Sequence, residues 1–183
     1  MKTKRITIIF IFSLAYFSSY SQILNDEERK LYDLIMQYRN EKGLPKIELS
    51  TSLTFVAQAH VKDLVDNKPD SKNCNAHSWS SKGPWTAVCY TRDHSQAKYM
   101  WSKPRELTSY LGNGYEIACG SNVCCSEFVM TADYALNSWK SSKGHNGIII
   151  NEGVWNKRKW NAIGIGLYKG FSVVWFGEEI DNN

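Results

Sequence analysis

The sequence has no apolar stretch long enough to cross a bilayer. Its one apolar run, Ile6 to Phe17, is about half of the roughly 20 residues that a spanning helix needs. Lys2, Lys4 and Arg5 precede that run and the small residues Ser19 and Ser21 follow it, so residues 1–21 read as a cleaved signal peptide. No stable membrane insertion is expected after cleavage. No cysteine occurs before Cys74, so a lipid anchor attached at the cleavage point is not expected. No Cys-x-x-Cys pair occurs either, which argues against a cysteine-based zinc cluster. There is no internal repeat and no linker-like segment, so residues 22–183 are expected to form one domain. An excess of positive charge is also missing. Removing residues 1–21 takes away three cations and no anion, so the formal charge falls from +4 to +1. Nucleic acid is therefore not an expected partner.

The chain does have an aromatic content of 13%, enough for a substantial core, and five cysteines at 74, 89, 119, 124 and 125. In an exported protein these cysteines favour disulfides, and the odd count leaves at least one unpaired. Cys74 with Cys89 is the preferred pair, pinning the segment around His77, with Cys119 then bonding Cys124 or Cys125. The first helix is capped by Asn25 or Asp26, carries Leu31, Leu34, Ile35 and Tyr38 as its stripe, and ends near Gly43 and Pro45. A second helix starts near Ser50 with Leu53, Val56, Ala57, His60 and Leu64 on one face. On that face His60 reads as a core histidine with a hydrogen-bond partner.

Residues 76–79 read as a short extended segment, and Pro104 opens a short helix through Leu111. Tyr115 to Ala118 is extended. A third long helix is expected from near Ser126, with Val129, Ala132, Leu136 and Trp139 inward and Gly144 as its stop. Residues 160–168 alternate small and branched residues, and Lys169-Gly170 turns the chain into a second strand over 171–176. The class is α+β: a three-layer α-β-α sandwich with a central antiparallel sheet.

Four islands carry the chemistry: Ala76-His77-Ser78, Gly114-Tyr115-Glu116-Ile117-Ala118, Trp139 through Gly144-His145-Asn146, and Gly164-Ile165-Gly166 with Val174-Trp175-Phe176-Gly177. Two neutral imidazoles and a carboxylate are a good zinc first shell with one position left for water. The same groups can also satisfy one another by hydrogen bonding, without chemistry. Ser78 is a poor nucleophile candidate. In an extended segment it and His77 point to opposite faces, and no sharp nucleophile turn surrounds it. The run from Trp155 through Lys157, Arg158 and Lys159 to Trp160 fits an anionic glycan or membrane surface, or equally a solvated loop.

The order of these islands resembles the CAP superfamily, which includes the cysteine-rich secretory, antigen five and pathogenesis-related proteins, and in particular its bacterial SCP-type members. The resemblance covers about residues 27 to 178. It includes an Ala-Gln-Ala-His stretch ending at His60, the His77-Ser78 pair, a variant Gly-Glu-Asn-Ile motif at 114–117, and Gly144-His145 before an aliphatic run. It implies a cavity with a tetrad of two histidines and two acids, of which His77, Glu116 and His145 match three. The fourth is replaced by Ser142, three residues after Trp139.

The resemblance implies an extracellular binding module rather than an enzyme. Its polar pocket would hold zinc or another divalent cation and face an unidentified extracellular ligand or protein. A metal-assisted, peptidase-like hydrolase with Glu116 as its catalytic group is the alternative, and a lipid or sterol carrier is the second.

Overall fold

The computed structural model describes residues 24–120 and 128–182. The expected signal peptide and Cys124 and Cys125 lie outside them.

Helix α1 (Asp26–Glu41) opens with a capping box: the Asn25 side chain accepts the Glu28 N–H while Glu28 reaches back to the Asn25 N–H. Strand β1 (Glu48–Leu49) follows, then α2 (Thr51–Asn67), capped by Ser50 as its sequence predicts. The short helices α3 (Ala97–Trp101) and α4 (Lys103–Leu107) lead into β2 (Gly114–Gly120). After α5 (Ala132–Ser141) and α6 (Lys143–Ile149) the chain closes with the hairpin β3 (Ala162–Tyr168) and β4 (Phe171–Gly177).

The sheet order is β1-β3-β4-β2, with β2 at one edge. β2, β4 and β3 are antiparallel, but β1 runs parallel to β3, so the sheet is mixed where a purely antiparallel one was expected. A two-residue strand reached directly from the loop after α1 escaped period-based reading. Alternation along the strands divides the interior into two cores. Ile163, Ile165, Tyr115, Ile117, Val174 and Phe176 join the α1, α5 and α6 side. Val173 and Trp175 join Leu53, Val56 and Ala57 of α2 on the other. α2 lies directly on the glycines of β3, since a Cβ on Gly164 would sit 2.1 Å from the Leu53 carbonyl carbon and one on Gly166 2.4 Å from that of Ala57.

Several boundaries differ from the sequence reading. Residues 128–131 are not helical: α5 begins at Ala132 because the Thr131 hydroxyl caps it, and Val129 is 69% exposed rather than inward. Gly144 does not stop a helix but lies inside α6, the break falling at extended Ser142. The Pro104 helix ends at Leu107 instead of Leu111. Within 76–79 only Trp79 pairs as a strand residue, with Val88, while the Asn75 side chain takes the His77 N–H and folds that residue into a turn. The Cys74–Cys89 disulfide forms as expected, with 5.0 Å between Cα atoms. Cys119 is half-buried and its thiol pKa is raised by burial, and its expected pairing with Cys124 or Cys125 falls on residues outside the described ones.

Candidate functional site

Glu116 lies on the α2 side of β2, in register with Trp175 of β4. Its side chain is fully buried, and each carboxylate oxygen meets an imidazole: Oε2 is 2.6 Å from His60 Nδ1 and Oε1 is 2.6 Å from His77 Nδ1. Burial opposes the charge on Glu116, yet the neighbouring His60 and His77 together hold its carboxyl below the usual range. An ionised Glu116 only accepts, so each Nδ1 carries a hydrogen. His60 also donates from Nε2 to the Ser78 carbonyl at 2.9 Å, which places hydrogens on both of its nitrogens. His77 has no described partner on Nε2, so its second nitrogen is the one free to meet a ligand.

The surroundings hold this unit rigid. The His60 ring stacks on Trp79 at 4.1 Å and 7°, and buried Lys103 sits 5.5 Å over the Trp79 ring. Lys103 Nζ reaches the Thr86 carbonyl and Glu106. The Ser78 hydroxyl is fully buried and accepts the Tyr90 N–H, and among the described residues no histidine bonds that hydroxyl, so Ser78 is a structural residue.

His145 comes from α6, in the opposite layer. Burial lowers its pKa, and His77 lowers it further, which places the two imidazoles within electrostatic reach of each other. α6 is held by the end of α1: the Tyr38 hydroxyl donates to Asn146, and buried Arg39 donates to the Ile149 carbonyl and to Asn151. His77 and Glu116, predicted from remote stretches, thus meet directly at edge strand β2, and His145 lies within electrostatic reach of His77. Glu178 pairs with Arg158, whose guanidinium lies over Tyr115. Trp155 and Trp160 pack on the same Tyr115 ring, a packing role for the ends of the cationic run. A polar groove of about 690 Å³, lined by Lys72, Asn73, Asn75 and Arg92 among others, adjoins His77 through Asn75.

Sequence reasoning placed His60 correctly in the core but did not connect it with Glu116. The signal was its position on an apolar helix face, where a buried imidazole requires polar partners from another element. Tyr90 was also missed. It tilts against His77 with 5.2 Å between ring centroids. Among the described residues, no three His, Cys, Asp or Glu side chains are arranged as a ready-made metal shell. Glu116 has both oxygens committed to imidazoles, the arrangement of a carboxylate standing behind a histidine ligand rather than beside it.

Solved structures share this architecture. An outer surface protein from Borrelia burgdorferi matches over 86% of this chain and 96% of its own, at 18% identity and a TM-score of 0.55. An extracellular protein containing an SCP domain from Bacillus anthracis matches over 86% of this chain at 22% identity and a TM-score of 0.56. A cysteine-rich secretory protein from Staphylococcus aureus matches over 84% at 16% identity and a TM-score of 0.50. This chain spans only 42% and 38% of the last two. At these identities the likeness is one of fold. No curated protein matches the chain. The family model for cysteine-rich secretory proteins matches residues 32–171, a span that runs from α1 to the start of β4 and includes every residue of the His60, His77, Glu116 and His145 cluster. The chain therefore belongs to the cysteine-rich secretory protein, or CAP, family.

Proposed function

We propose that the protein is an exported binding module that recognises an extracellular ligand or partner at the His77–His145 site, assisted by a divalent cation such as zinc. The observation that carries this reading is the pairing of both Glu116 oxygens with imidazoles. That pairing orients His77 with Nε2 available, within electrostatic reach of a His145 whose pKa is lowered by burial and by His77. The donor chemistry suits zinc: His77 and His145 would hold the ion, with Glu116 fixing the His77 ring from behind. A bound cation would offer open positions to a ligand oxygen. Export is supported by the charged and apolar opening of the sequence and by the disulfide.

Binding is favoured over hydrolysis because Glu116 is sealed inside and committed to two histidines, so it does not face a reacting water as a general base must. His77, through its free Nε2, and His145 are the groups of the cluster left as candidate bases. A carrier role would fall on a different surface, the groove of about 400 Å³ along α2 lined by Phe55, Ala59 and Trp85.

The test is calorimetric titration of zinc into the oxidised protein and into His77→Ala and His145→Ala. The wild type is expected to bind and each variant to lose binding. Equal, negligible heats in all three proteins would remove the metal-assisted reading. Peptide or ester cleavage abolished by Glu116→Gln with the fold intact would replace it by the hydrolase.

A further inference from the structure

We infer that Tyr90 is a positioning residue for His77, turning that imidazole so that its free nitrogen meets the ligand; the functional consequence rests on the binding role proposed for His77. The His77 ring is anchored covalently at Cβ and by one hydrogen bond from Nδ1 to Glu116 at 2.6 Å, and tilting of the ring about the line between these two anchors is left open. The Tyr90 ring, tilted by 60° at a centroid distance of 5.2 Å, removes that freedom.

Tyr90 is itself held from several directions. It is 3% exposed. Its N–H donates to the buried Ser78 hydroxyl at 2.9 Å, and its carbonyl accepts the Asn75 N–H at 2.9 Å. Its hydroxyl bonds His94 Nδ1 at 2.9 Å, and the neighbouring Cys89 is tied to Cys74. Asn75 also receives the His77 N–H through its side chain, so one residue fixes the backbones of both partners. Burial and the Glu116 charge push the Tyr90 phenol upward, so it contributes a neutral ring beside the carboxylate. Through Tyr90 and Glu116, three of the four histidines of the chain form one connected unit, and its His77 acts electrostatically on His145.

The test uses proton NMR of the metal-free, oxidised protein. The two short bonds to Glu116 give two downfield imidazole N–H signals, one each from His60 and His77. Tyr90→Leu is expected to broaden or remove the His77 signal and keep that of His60, while Tyr90→Phe, which keeps the ring and loses only the His94 link, retains both. In zinc titrations Tyr90→Leu should weaken affinity about tenfold, the loss typical of removing a group that orients a ligand, and Tyr90→Phe should restore it. Survival of both signals in Tyr90→Leu overturns the inference. Loss of both also counts against it, because a positioning role leaves His60 in place. If the wild type binds no zinc but the NMR pattern holds, the functional reading fails and the positioning role stands.

Discussion

Replacing Glu116 should separate two effects that are usually confounded, loss of charge and loss of a partner. In Glu116→Gln the amide keeps the shape. Its oxygen can accept from His77 Nδ1–H, and its NH₂ can donate to His60 Nδ1 once His60 sheds that proton, so His60 keeps its Nε2–H on the Ser78 carbonyl. Every buried group stays satisfied, and the cost is the difference between charge-assisted and neutral hydrogen bonds, about 1 kcal/mol. Glu116→Ala instead leaves His60, which has no solvent exposure, without its carboxylate, and breaking a buried pair in this way costs about 3–5 kcal/mol.

The pH dependence follows from the lowered folded pKa of Glu116. Its stabilising contribution is present above the ordinary carboxylate pKa and is lost as pH falls through the folded value, because the unfolded chain binds the proton first. Wild type and Glu116→Gln should therefore converge in stability on acidification. Chemical denaturation at several pH values measures both effects. Equal destabilisation by Gln and Ala at neutral pH would refute the donor accounting.

Other outcomes follow from the same structure. Replacing Cys74 and Cys89 together by serine should cost about 3 kcal/mol on loop-entropy grounds for a 15-residue separation, read as a lower denaturation midpoint than the oxidised wild type. Gly164→Ala should lower the melting temperature sharply, because its Cβ would sit 2.1 Å from the α2 backbone; overpacking of this kind costs about 1–3 kcal/mol or more. Asn25→Ala removes the Asn25 half of the capping box and should cost about 1 kcal/mol in denaturant unfolding.

The helices and the hairpin were legible because their physical causes are local. Asn25 and Ser50 announce helix starts, and small residues alternating with Ile163, Ile165 and Leu167 announce a strand covered by a close-packed helix. The three site residues were legible as motifs, and the disulfide was legible from its position around His77. The elements that escaped depend on tertiary contacts. β1 is two residues long and exists through its pairing with β3. The α5–α6 break at Ser142 has no proline or glycine at the break itself to mark it. The partnership of His60 with Glu116 joins residues 56 positions apart, and nothing in either local pattern specifies it. Tyr90 lies in an irregular stretch with no motif or periodicity to single it out.

The convergence of His77 and His145 is tested most directly by NMR titration of His145 in the wild type and in His77→Gln. His145 should titrate below the ordinary histidine value of about 6.5 in the wild type, and its pKa should rise when His77 is replaced, since His77 is one of the two causes that lower it. A His145 pKa that is unchanged by the substitution would mean that the two imidazoles do not share a site.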